Sequence, residues 1–298
     1  MTLLVGLSPD ARDDAGGAVG LAARLAIAWA EDVTVAVVVT PGSRVPPDVE
    51  EAGEAIDVDA PASVPVEGDP AAEVAQAAVE GILEESGLTA RWVTVRGRSV
   101  ADALLEAAAT PGVTAVVLGT DPDRSGRIAV RVARSSPVPV VLARGHGAFP
   151  GEPITRVTCA FDGTTDSPGV LAAAVELAGR SSATLRVASF AVRRRPNLSP
   201  AEGPDPETSG LATSGLATWS DQIAAAQTDA LADLGLAAET GVHAGATWDE
   251  AVHAADWEPG DLLVVGGSPG AATRFFLGDR LGAILQAAPV PAAIVHAH

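Results

Sequence analysis

Short, unbroken apolar runs alternate with amphipathic stretches along all 298 residues. The runs lack the in/out alternation of a half-exposed strand. Continuous apolar strands separated by helices are the pattern of a parallel sheet covered on both faces. In the first half this predicts strands near 2–7, 33–39, 90–96, 113–118 and 138–143. In the second half it predicts strands near 155–161, 183–191, 238–244, 261–266 and 290–296.

The two halves keep the same beat. A strand ending in Gly97 precedes a helical pattern beginning near Val100, and an apolar strand then runs into Gly119. A strand ending in Gly245 precedes a helical pattern beginning at Trp248, and an apolar strand runs into Gly266 and Gly267. Gly97 to Gly119 and Gly245 to Gly267 are both steps of 22 residues. Each half closes on a strand led by Pro-x-Pro, with Pro137 and Pro139 in one and Pro289 and Pro291 in the other. Self-similarity at this spacing marks a tandem duplication. The expected domains are 1–146 and 152–298, with the seam between them. After its second strand each half has a stretch poor in large apolar residues, 41–69 and 193–218, read as a loop. The second of these contains Ser-Gly-Leu-Ala-Thr twice in succession.

Charge narrows the function classes. Thirty-eight acids face 19 basic residues for a formal net charge of −19, and every basic residue is arginine. Without lysine, neither a Schiff base nor a P-loop ammonium is available. A chain this acidic, negative in both halves, is unsuited to nucleic acid or to anionic membrane surfaces. The single cysteine, Cys159, cannot form an internal disulfide. No apolar run reaches the roughly 20 residues that span a bilayer, and the first residues lack the pattern of a signal peptide. The expected location is cytoplasmic.

In sheets of this kind ligands sit beyond the carboxyl ends of the strands, where the strand order reverses. There the second half reads Ala160, Phe161, Asp162, Gly163 after its first strand, and Gly267, Ser268, Pro269, Gly270 after its fourth, followed by Ala288-Pro289-Val290-Pro291. This ordered set resembles the universal stress protein family in its tandem two-domain form, over about 290 residues. The resemblance implies two doubly wound α/β domains, each a five-stranded parallel sheet in the order 3-2-1-4-5 with helices on both faces. It also implies that the last strands of the two copies meet as an internal pseudo-dimer, to which a short, proline-led strand is suited. Whole chains could pair further as a homodimer.

In nucleotide-binding members an acid follows strand one, and a Gly-x2-Gly-x9-Gly-Ser/Thr segment after strand four wraps ribose and phosphates. Such glycines let backbone N–H groups approach an anion. Carried over, the resemblance implies that ATP or AMP, with Mg²⁺, sits against Ala160, Phe161, Asp162, Gly266, Gly267, Gly270, Gly278, Asp279 and Arg280. Two departures weaken the match. Only seven residues separate Gly270 from Gly278, and Asp279 occupies the hydroxyl position. A carboxylate about 4 Å from a phosphate charge, at an effective dielectric near 20, is repelled by roughly 4 kcal/mol. Arg274, Arg280 or a bridging Mg²⁺ would offset part of this. The first half departs further, with Ser8 at the acid position and no glycine pair after Gly119. It is not expected to hold a nucleotide in the family's manner.

The remaining candidates have plainer readings. His243 and His253 lack a second ligand at helical spacing and are expected at the surface or half-buried. His296 and His298 read as a terminal tail, and Cys159 as a small buried hydrophobe. Asp162 could act as a base, but it serves equally as a cap on the helix that follows. Arg193, Arg194 and Arg195 form a solvated run. Trp29, Trp92, Trp219, Trp248 and Trp257 are scattered fillers. No spacing fixes a nucleophile, base or metal cluster, so the chain is expected not to be an enzyme. The expected function is that of a stress-associated regulatory protein holding nucleotide weakly in the second domain. A nucleotide-free scaffold for protein partners is the rival, and a slow ATP hydrolase is a more distant alternative.

Overall fold

The computed structural model describes residues 1–7, 15–39, 79–120, 126–144, 152–193, 214–267 and 281–296. The chain divides into two compact units, Met1–Ile154 and Thr155–His298.

The first unit runs β1 (Thr2–Leu7), α1 (Ala15–Trp29), β2 (Asp32–Val39), α2 (79–85), β3 (Ala90–Arg96), α3 (Val100–Ala108), β4 (Val113–Thr120), α4 (Gly126–Ser135) and β5 (Val140–Arg144). Its strands pair in parallel in the order β3-β2-β1-β4-β5. The second unit runs β6 (Arg156–Ala160), α5 (Ser167–Ser181), β7 (Thr184–Val192), α6 (Ser214–Asp233), β8 (Glu239–Gly245), α7 (Trp248–His253), β9 (Asp261–Gly266), α8 (Gly282–Ala287) and β10 (Ala292–Val295). Its parallel order is β8-β7-β6-β9-β10, the same topology. Both units are doubly wound α/β folds in the order 3-2-1-4-5.

The inner strands are buried without alternation, as their apolar runs require. Leu3 and Val5 in β1, Val116 and Val117 in β4, Val157 and Cys159 in β6, and Leu262 to Val264 in β9 are all fully buried. Each such Val or Leu contributes about 1.5–3 kcal/mol relative to an exposed one. The last strand of each unit starts two residues later than the apolar pattern suggests. Proline has no N–H to donate, so Pro139 and Pro291 join only through their carbonyls, which accept from Val116 N and Leu263 N at 2.9 Å.

The likeness of the two units extends to the turns. Ser99 and Thr247 cap α3 and α7 by accepting from the third residue on, Asp102 N at 3.2 Å and Glu250 N at 3.1 Å. Gly87 and Gly235 end α2 and α6 in the left-handed conformation at φ 70° and 64°, as glycine commonly does after a helix. The next N–H returns to the helix in both, Leu88 N to Leu83 O at 2.8 Å and Leu236 N to Leu231 O at 3.0 Å.

The amino edges of the two sheets differ. In the first unit, Thr2 and Thr34 share a hydroxyl–hydroxyl bond of 2.9 Å. In the second, Arg156 forks onto the buried Asp261 with bonds of 2.6 and 2.7 Å. Arg186 lies 3.6 Å from the same carboxylate. It donates to Thr158 Oγ1 at 3.0 Å and to the Asp256 carbonyl at 2.9 Å. Its guanidinium sits 4.9 Å from the Trp257 ring centroid, a cation–π contact. The bonds to Asp261 hold the Arg156 guanidinium above its ordinary pKa. Burial and the neighbouring Arg156 charge push that of Arg186 below.

Candidate functional site

In the second unit β6 has β7 on one side and β9 on the other, so the strand order reverses there. The pairing Cys159↔Val264 carries Phe161 to the level of Gly266. The pairing Val295↔Gly266 carries His296 to the level of Gly267. Three segments therefore end side by side at the carboxyl edge: 160–162, 266–267 and 295–296.

Ala160 closes β6, and Phe161 is buried with its N–H on the Ala188 carbonyl at 2.9 Å. Asp162 is exposed. Its Oδ1 accepts three bonds: from Thr164 N at 3.0 Å, Thr164 Oγ1 at 2.7 Å and Ser167 Oγ at 2.6 Å. The turn needs glycine next. Gly163 has φ +73°, and a Cβ there would lie 2.6 Å from Ile223 Cδ1. The capping role expected of Asp162 takes an indirect form. Asp166 is the N-cap residue of α5 and makes no side-chain cap bond, while Asp162 fixes the helix entry through Ser167.

Gly266 and Gly267 are brought beside this turn, and both have a packing reason to be glycine. A Cβ on Gly266 would lie 2.7 Å from Val170 of α5, and one on Gly267 would lie 2.8 Å from Ile294. The Gly267 N–H donates to Val295 O at 2.7 Å, and its carbonyl accepts from His296 Nδ1. His296 is thus seated on the first glycine of the candidate loop rather than being a loose tail residue. Gly270, Arg274, Gly278, Asp279 and Arg280 lie outside the described residues, as do Ser8 of the first half, Arg194, Arg195 and His298.

Other sequence candidates fall away from this edge. His243 is half-buried and stacked on Phe190 with ring centroids 5.8 Å apart. Burial, followed by the positive charge of Arg186, holds its imidazole below the ordinary histidine pKa. His253 is exposed, with Nδ1 2.9 Å from the Asp249 carbonyl. Cys159 is wholly buried, and burial, with the Asp162 charge adding to it, pushes its thiol up to about 12. Among the described residues no cluster of three or more His, Cys, Asp or Glu could hold a metal ion. None of the described helices is long and apolar enough to cross a membrane.

Sequence reading missed two polar residues behind the site. Ser189 of β7 is buried and donates to the Phe161 carbonyl at 2.5 Å. Gln227 of α6, fully buried, donates from Nε2 to Ser189 Oγ at 2.8 Å and to the Gly241 carbonyl at 3.1 Å. A polar pair inside apolar runs was the only signal available.

Residues 153–296 match the model of the universal stress protein family. A curated universal stress protein of Mycobacterium bovis is 33% identical over 208 residues, covering 66% of this chain and 69% of that protein. Universal stress proteins of two Mycobacterium tuberculosis strains match to the same extent. Among solved structures, a universal stress protein from Archaeoglobus fulgidus DSM 4304 superposes with a TM-score of 0.60 at 13% identity, covering 99% of this chain and 96% of that one. A functionally unknown protein from Pseudomonas aeruginosa PAO1 superposes with a TM-score of 0.55 at 16% identity, covering 99% and 92%. At such low identity these two show the fold. With the family model matched across its second half and one residue in three shared over most of a mycobacterial relative, the chain belongs to the universal stress protein family.

Proposed function

We propose that the chain is a stress-associated regulatory protein that holds ATP or AMP weakly at the carboxyl edge of its second unit, as a binding protein rather than a catalyst. One observation carries the reading. The Asp162 carboxylate stands in a fixed turn beside Gly266–Gly267, at the point where the strand order reverses. That is where ligands of doubly wound sheets bind. A ribose hydroxyl is the natural donor to an exposed carboxylate, and backbone N–H groups after β9 would receive phosphate. If Asp279 takes the hydroxyl position that the resemblance implies for it, its carboxylate opposes tight binding of phosphates.

A second reading, a nucleotide-free scaffold that docks protein partners, is favoured by the saturation of Asp162 Oδ1 by its own turn. Calorimetric titration of ATP with Mg²⁺ into the purified chain separates the two. Saturable heat near one site per chain, strengthened in Asp279→Ser, supports the nucleotide reading. No heat up to millimolar ATP, with an unchanged melting temperature, retires it in favour of the scaffold.

A further inference from the structure

We infer that Gln227 and Ser189 form a positioning relay that sets the Asp162 turn. A buried side-chain hydroxyl serves the Phe161 carbonyl, the last one before the chain leaves the sheet at Asp162. That hydroxyl is itself held by the Gln227 amide. The same face of α6 touches the turn again through Ile223, four residues earlier, which packs where a Gly163 side chain would otherwise stand. Ile223, Gln227 and Leu231 are all buried and recur at one helical turn. The helix therefore grips the turn at two points, one apolar and one polar.

The polar point is not a requirement of the fold, because the first unit builds the same frame without it. Leu83 and Leu231 receive the same capping bond, so Val79, four residues before Leu83, occupies the place of Gln227. Gly6 pairs with Ala36, and Ala160 pairs with Ala188, so Val37 occupies the place of Ser189. Val79 is buried, as Gln227 is. The half with Ser8 at the acid position thus has Val37 and Val79, and the half with Asp162 has Ser189 and Gln227.

The relay also carries a folding cost. Gln227 Oε1 is buried and has no partner among the described residues. An unsatisfied buried acceptor is destabilising. A polar pair kept at that cost, on the half whose turn holds the carboxylate, is explained by what it does to the turn.

The test installs the first unit's residues in the second: Ser189→Val with Gln227→Val in the full chain, with Ser189→Thr as the variant that keeps the hydroxyl. The effect on affinity rests on the nucleotide reading above, whereas the effect on the turn does not. In the double variant the Phe161 and Gly241 carbonyls lose these donors and the melting temperature falls, the Thr164 amide exchanges faster with solvent, and ATP–Mg²⁺ affinity falls about tenfold. Ser189→Thr retains wild-type exchange at Thr164. A packing role alone would lower the melting temperature without quickening exchange at Thr164, so faster exchange there, restored by the hydroxyl of Ser189→Thr, identifies positioning. Unchanged Thr164 exchange in the double variant overturns the inference, whatever ATP does. If the wild-type chain binds no ATP, the nucleotide reading fails and the exchange measurement still decides the relay.

Discussion

A carboxylate ringed by donors from its own turn and a buried thiol three residues before it in the chain show how position decides what a side chain can do. Cys159 faces the core of β6, where no solvation is available for a thiolate, and its pKa is pushed to about 12. Since the thiolate is the nucleophile, a maleimide or disulfide reagent at pH 8 should leave the native chain unmodified and label it fully once unfolded. Rapid labelling of the native protein would show that β6 opens. His243 gives the opposite titration. Its folded pKa lies below the unfolded value of about 6.5, so the unfolded chain holds the proton more tightly. The stability it contributes is therefore present above the unfolded value of about 6.5 and lost as the pH falls below it through the lower folded pKa. His243→Phe, which keeps a ring against Phe190, should flatten the dependence of melting temperature on pH between about 5 and 7. Parallel curves for the two proteins would place that sensitivity elsewhere.

At the scale of elements, the turn into the second-half helix is the tightest of the shared devices. A Cβ on Gly245 would come within 2.5 Å of both Ala251 N and Glu250 Cβ, and one on Gly97 within 2.8 Å of Ala103 N. Backbone cannot swing aside as a side chain can, so Gly245→Ala should cost about 1–3 kcal/mol in urea unfolding. Gly235→Ala, where only the positive φ resists, meets no atom within 4 Å and serves as the comparison. These elements were legible in sequence because each signal is local: an unbroken apolar run for a buried strand, and a glycine closing a strand ahead of a helical pattern. The relay behind Asp162 was not legible. Ser189 and Gln227 are 38 residues apart, and nothing in their spacing says that a β7 hydroxyl and an α6 amide meet. His296 was misread for the same reason, because its partner, the Gly267 carbonyl, comes from the neighbouring strand.

For the whole molecule, a net charge of −19 opposes any anionic ligand. If the second unit takes ATP–Mg²⁺, its affinity should rise as ionic strength goes from about 0.01 to 0.15 M, where the screening length shrinks from about 30 to 8 Å. A fall with salt would mean that local arginines outweigh the global field. The family and the duplicated topology could be read from the chain because they rest on order and spacing repeated over its length. The occupant of the site could not, because it depends on how Asp162, Gly267 and Asp279 are disposed toward a ligand. The amino edges have a consequence for how far the two halves are interchangeable. Arg156 takes the place of Thr2, Arg186 that of Thr34, and Asp261 that of Val113 in equivalent strand pairings. A β6 segment put in the place of β1 would set Arg156 beside Val113, where its own half offers the buried carboxylate of Asp261. The first strand of each half is matched to its own neighbours, so a segment moved from one half to the other would leave its polar partner behind.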